Sequence, residues 1–178
     1  MTKATVNSQL LLFLCKSRNG IDVFFDPVNS HAATHLDDVP QLKDLVIEAI
    51  GKIRLEEKEI YTAVDMGRIV GTCDVVEVEK NDEIVYGIRR NRDDDGLVPF
   101  VRNREGDSCP YVTVYIVLQE DGQYVLSSAW IGPMSEDDVP FPLSKNATTK
   151  SKEYWDKHAF VYGSQEIVTG TETSHKPW

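Results

Sequence analysis

The sequence predicts an α+β fold: an antiparallel β-meander sheet with an N-terminal helical portion packed on one face and a short C-terminal helix. Three observations carry this. Leu42, Leu45, Val46, Ala49, Ile50 and Ile53 recur at helical spacing. From about residue 59 onward the pattern changes to short runs rich in β-branched and aromatic residues. Finally, "YVTVYIVLQ" and "YVLSSAWIG" flank Glu120-Asp121-Gly122-Gln123, where Asp-Gly supplies the positive φ of a tight hairpin.

Taken in order, "LLLFLC" (Leu10 to Cys15) is too short to span a bilayer and lacks the small-residue cleavage pattern of a signal peptide, so it reads as a buried strand or short helix. "IDVFF" (Ile21 to Phe25) is a short strand ending at Asp26-Pro27. The helix follows, with Asp37 or Asp38 as N-cap and Pro40 in its first turn. Strands are expected at Glu59 to Val64, Gly71 to Val78, Glu83 to Arg90, Val98 to Arg102, Tyr111 to Leu118 and Tyr124 to Ile131. In the last of these, strict alternation puts Tyr124, Leu126, Ser128 and Trp130 on one face and Val125, Ser127, Ala129 and Ile131 on the other. "GPMSEDDVPFP" is loop. Thr148 or Thr149 caps a short helix, "KSKEYWDKHA", leading into a last strand, "FVYGSQEIV". The whole reads as one domain: an extension over residues 1–35, a core over 36–168 and a frayed tail over 169–178.

Composition narrows the function. With 41% hydrophobic and 27% charged residues, the 178-residue chain can bury a real core. A formal net charge of −10 argues against indiscriminate binding to nucleic acid or a membrane surface. Cys15, Cys73 and Cys109 show no Cys-x-x-Cys spacing, which points to a reducing, cytoplasmic setting and no zinc ribbon; as three small core residues they need no further role.

Against that acidic background, "YGIRRNRDDDGLVPFVRNREGD" (residues 86–107) holds five of the eight arginines and none of the eleven lysines. If the segment is extended, Phe100, Arg102 and Arg104 share a side, as do Arg90 and Arg92. Guanidinium suits bidentate grip on phosphate or carboxylate and stacking on rings. The competing reading is a salt-bridge network with Asp93, Asp94, Asp95, Glu105 and Asp107. His158, at the end of the short helix, is placed to favour a cationic imidazole for acid chemistry or phosphate binding, or simply to cap the helix. Ser127 and Ser128 can donate to a substrate oxygen or fill an internal strand. No G-x-S-x-G or paired-carboxylate arrangement accompanies them, which disfavours a serine hydrolase or a glycosidase. His31 and His35 stand four apart with Asp37 and Asp38 nearby, but without the glutamate of H-E-x-x-H, so neither a metal nor any other cofactor is expected.

Together "GRIVGTCDVVEV", "DEIVYGIRRNRD", "FVRNR", "YVTVYIVLQEDGQYVLSSAWIG" and "SKEYWDKHAFVYGSQEI" resemble an uncharacterised family of bacterial and phage-associated proteins, and through it the barnase, EndoU, colicin and RelE-like superfamily of small ribonuclease domains. The likeness spans about residues 40–168. It implies an antiparallel sheet face that holds RNA and cuts it without metal, the ribose 2′-hydroxyl attacking the adjacent phosphate. Catalytic roles would then fall to Arg90, Arg92, Arg102 and Arg104 as charge, to His158 as acid or base, and to Ser128 as a hydrogen-bond donor. Substrate binding would fall to Arg89, Tyr86, Trp130 and Ser127, with Tyr86 or Trp130 stacking on a base. RNA and a protein inhibitor or immunity partner are the implied partners, with no membrane. The alternative is a non-catalytic interaction module using an arginine-lined sheet face to bind RNA, an anionic ligand or a protein. Two departures from the superfamily stand out: the chain is acidic, and residues 36–157 contain no histidine.

Overall fold

The computed structural model describes residues 11–28, 32–33, 36, 39, 41–90, 95–134, 139–163 and 167–178. Among them the fold is α+β, with mostly antiparallel sheets and two helices. The chain forms two compact units, Met1–Val70 with Pro110–Met134, and Gly71–Cys109 with Ser135–Trp178. None of the helices among the described residues is long and apolar enough to cross a membrane.

The first unit is built on strands β1 (Leu12–Lys16), β2 (Asp22–Phe25), β3 (Glu59–Asp65), β9 (Tyr111–Leu118) and β10 (Tyr124–Ile131), and on helix α1 (Leu42–Lys52). Its sheet runs β1-β2-β10-β9-β3. The Asp-Gly hairpin forms as expected: Gly122 adopts φ 86°, and Gln119 closes the turn with its N–H on the Gln123 carbonyl at 2.8 Å. β10 is the central strand, antiparallel to β9 and parallel to β2, and β9 in turn runs antiparallel to the edge strand β3. Leu42, Val46, Ala49 and Ile50 form the buried stripe of α1 and pack in one core with Val112, Val114, Ile116 and Leu126. Gln41 stands at the helix N-cap without a side-chain cap bond. The expected capping residues, Asp37 and Asp38, and Pro40 lie outside the described residues.

Strict alternation along β10 fails at one point. Leu126 pairs with Ile116 but Ser128 pairs with Tyr115, so Ser127 is an extra residue in a bulge. The phase therefore reverses: Tyr124, Leu126 and then Ala129 face the core, while Ser128 and Trp130 turn to the opposite face.

The second unit has a four-stranded sheet, β5-β11-β7-β6, and a short ribbon, β4-β8. Its strands are β4 (Gly71–Thr72), β5 (Val75–Glu77), β6 (Ile84–Ile88), β7 (Leu97–Val101), β8 (Ser108–Cys109) and β11 (His158–Val161). The sequence predicts one strand over Gly71 to Val78, and the structure corrects this. The run Gly71 to Val78 breaks at Cys73-Asp74, and the two pieces pair with different partners, β8 and β11. β11 joins β7 in parallel at Phe100, one residue past Pro99, which has no N–H to offer a ladder. Helix α2 (Thr149–Trp155) starts with a capping box: Ser151 N–H donates to Thr148 Oγ1 at 3.1 Å, and Thr148 N–H donates back to Ser151 Oγ at 3.0 Å. Trp155 stacks on Phe141 and Phe160, and Phe160 in turn adjoins wholly buried Phe100.

The C-terminal residues make contacts back to the second unit. Thr173 and Tyr86 exchange two backbone hydrogen bonds at 2.8 Å, and Trp178 donates from its indole to Asp156 at 2.9 Å. Sequence composition does not announce these contacts, because the groups that make them are backbone atoms on β6 and a single indole.

Candidate functional site

The expected site residues divide between the two units. Ser127, Ser128 and Trp130 belong to the first; Tyr86, Arg89, Arg90, Arg102, Arg104 and His158 belong to the second. Arg92, and with it Asp93 and Asp94, lies outside the described residues, as do His31 and His35. Among the described residues no cluster of histidine, cysteine and carboxylate side chains is arranged to hold a metal.

Within the second unit the guanidiniums do not line one face, because β7 ends at Val101 and only its apolar residues obey the strand alternation. Phe100 goes into the core, Arg102 is exposed, and Arg104 lies beyond the strand. Arg102 stacks over the exposed Tyr162 ring with its guanidinium carbon 5.1 Å from the centroid. Arg104 is consumed locally. Its Nε donates to Asp82 at 3.2 Å, Nη1 to Asp107 at 3.0 Å and Nη2 to the Glu77 carbonyl at 2.5 Å. Burial on its own would lower the Arg104 pKa, but Asp82, Asp107 and Glu79 together hold it above the ordinary value.

Arg89 is more enclosed still, with 13% of its side chain exposed, and it donates from Nη2 to Asp95 at 2.8 Å. Its guanidinium carbon lies 4.7 Å from the ring centroids of both Phe141 and Phe160. A weakly hydrated, planar cation tolerates this aromatic setting where an ammonium would lose far more hydration. Arg90 is exposed.

His158 opens β11 opposite Glu77 and is half-buried. Its Nδ1 lies 2.9 Å from the Tyr154 carbonyl, and its ring stacks on the Tyr154 ring at 4.0 Å. This is the contact of a histidine closing a helix end. Tyr86 meets Trp178 edge to face at 5.3 Å, so the C-terminal residue occupies the ring expected to stack on a base.

The first unit carries a different surface, which the sequence reading did not assemble. Register across β3, β9 and β10 sets Tyr61, Tyr115 and Ser128 in one row and Ala63, Thr113 and Trp130 in the next. Tyr61 contacts both Tyr115 and Trp130 with ring centroids 5.9 Å apart. Across the other strands Phe13 and Phe24 pair edge to face at 6.1 Å, with Phe24 beside Val125. These residues lie on the sheet face opposite α1, and Phe13 and Tyr61 are 55% and 37% exposed. Trp130 donates from its indole to the Pro133 carbonyl at 3.3 Å, and Thr113 from its hydroxyl to the Gly132 carbonyl at 2.7 Å, so these two polar groups are satisfied within the unit. The signal was present in the sequence as Tyr61, Tyr115 and Trp130, but only the Ser127 bulge brings Trp130 to the same face.

No protein-family model, curated protein or solved structure matches this chain.

Proposed function

We propose that this chain is a non-catalytic interaction module that engages a protein partner through the outer face of its five-stranded sheet. The observation that carries the reading is the pair of register rows, Tyr61–Tyr115–Ser128 and Ala63–Thr113–Trp130, extended by Phe24 and Phe13. Aromatic residues with few rotamers and an uncharged centre are what a protein interface core favours. Phosphate contacts dominate nucleic-acid affinity, and these rows contain no cation to make them. With a net charge of −10, and with Glu59 and Asp65 closing the two ends of β3, the matching partner presents an apolar patch framed by lysine and arginine. A cytoplasmic setting belongs to the same proposal, supported by three cysteines that form no disulfide.

The endoribonuclease alternative needs Arg104 and Arg89 to leave their carboxylates. It therefore ranks second. Two arms of one experiment decide. In the first, displayed peptides are selected on the immobilised wild-type protein and re-tested on a Tyr61→Ser/Trp130→Ser variant. The proposal expects apolar peptides with basic flanks whose binding falls at least about tenfold on the variant; peptides held equally by both proteins contradict the surface. In the second, total RNA is incubated with the protein in EDTA. No new ends are expected, whereas cyclic-phosphate ends lost in Arg102→Ala and His158→Ala would establish the nuclease.

A further inference from the structure

The second unit brings two of the three cysteines together. Gly71 pairs with Cys109 and Thr72 with Ser108, and the ladder runs one step further through Cys73 N–H to the Asp107 carbonyl at 2.9 Å. Cys73 and Cys109 are thus diagonal neighbours on one side of the β4–β8 ribbon, and their thiols share a hydrogen bond. Cys109 is 1% exposed, Cys73 is half-buried, and both are reduced. The two backbones run close together here: a Cβ at Gly106 would stand 2.2 Å from the Cys73 carbonyl oxygen.

We propose that Cys73 and Cys109 are an oxidation site, a thiol pair that takes a peroxide and closes to a cross-strand disulfide. This goes beyond the partner-binding reading and does not depend on it. Cys73, the more accessible sulfur, attacks one peroxide oxygen as thiolate; the O–O bond breaks, Cys73 becomes a sulfenic acid and the other oxygen leaves as an alcohol or water. Cys109 then attacks the Cys73 sulfur, the S–S bond forms, and hydroxide departs to take up the remaining thiol proton as water. Two thiols supply two electrons and the peroxide accepts them, so no further reductant or oxidant enters.

The position of the pair gives the bond a consequence. Gly71 and Cys109 are the two ends of the first chain segment of the second unit, and β5, β6 and β7 all lie between Cys73 and Cys109. A disulfide there closes that segment into a loop, which restricts its unfolded ensemble. The environment also sets the speed. Burial, the hydrogen bond to Cys109 and the charges of Asp107 and Asp74 push the Cys73 thiol up to about 12, so thiolate is scarce at neutral pH. The site responds to sustained oxidation and ignores a brief pulse.

The test uses the full-length protein exposed to hydrogen peroxide, quenched with an alkylating agent and mapped as non-reduced peptides. The wild type and Cys15→Ser are expected to give a Cys73–Cys109 cross-link that a dithiol reverses, forming about tenfold faster for each pH unit between about 7 and 9. Its appearance should raise the thermal midpoint, and Cys73→Ser and Cys109→Ala should not form it. Cys73 driven to sulfinic acid with Cys109 still alkylatable overturns the proposal. So does a cross-link to Cys15, or one that forms only after denaturant is added.

Discussion

The two units use charge in opposite ways. In the first, ion pairs stay at the surface: Arg68 grips Glu48 with two hydrogen bonds of 2.8 and 2.6 Å, Lys16 pairs with Asp22, and the core beneath α1 is built almost wholly from aliphatic side chains. In the second, guanidiniums are drawn into the framework. Arg89 lies over Phe141 and Phe160 with Asp95 as counter-ion, and Arg104 joins the loop after β7 to Asp82 and to the β5 backbone. A sheet of short strands without a long helix has little aliphatic volume, and planar cations stacked on rings and tied to carboxylates supply the missing contacts. Arg89 and Arg104 are therefore part of how this unit is built, while Arg90 and Arg102 stay exposed.

That contrast can be broken by substitution. The largest effects belong to the cores. Phe100→Ala should cost about 3–5 kcal/mol in chemical denaturation, through loss of the aromatic cluster, and Leu126→Ala about 2–5 kcal/mol in the aliphatic core. Next comes Asp95→Asn, which leaves the enclosed Arg89 cation without its counter-charge; about 2–4 kcal/mol is expected by the same measurement. Thr148→Ala removes the capping box of α2 and should cost about 1 kcal/mol.

The surface pair of the first unit should behave differently. The Arg68 hydrogen bonds lower the Glu48 carboxyl to about 2, outweighing the opposing effect of burial, with Lys52 adding to the shift. Because the folded value lies below the unfolded one, the contribution is present above the ordinary carboxylate range and is lost as pH falls from about 4.5 toward about 2. Carbon-detected NMR titration should place Glu48 at about 2 in the wild type and return it toward the ordinary glutamate value of 4.5 in Arg68→Ala. By the same linkage that variant should lose stability at neutral pH, by the modest amount of an exposed pair, and the difference should close as pH falls toward about 2.

Much of the fold could be read from local pattern. The period of Leu42, Val46, Ala49 and Ile50 located α1, and Asp121-Gly122 set the β9–β10 hairpin, because both signals act within one turn of chain. Pairings between distant segments were not readable. Nothing in "IDVFF" announces that it runs parallel to β10, and nothing in "FVYGSQEIV" announces its place between β5 and β7. Ser127 illustrates a finer limit: a bulge is one residue of register, invisible to alternation, yet it decides which face Trp130 occupies. For the candidate residues, the arginine cluster and its nearby acids were both seen in the sequence. What distance alone could decide was that Arg104 spends its donors on Asp82, Asp107 and Glu77.

A double-mutant cycle on Arg89 and Asp95, using Arg89→Met and Asp95→Asn and read by chemical denaturation, tests most directly whether these guanidiniums belong to the framework. Each single substitution should be destabilising, because it leaves the other charge enclosed and unpaired, the double variant should lose less than the two added together, and the coupling energy should exceed about 1 kcal/mol. A coupling indistinguishable from zero, within about 0.3 kcal/mol, would contradict the account and return the arginines to the role of free ligand-binding cations.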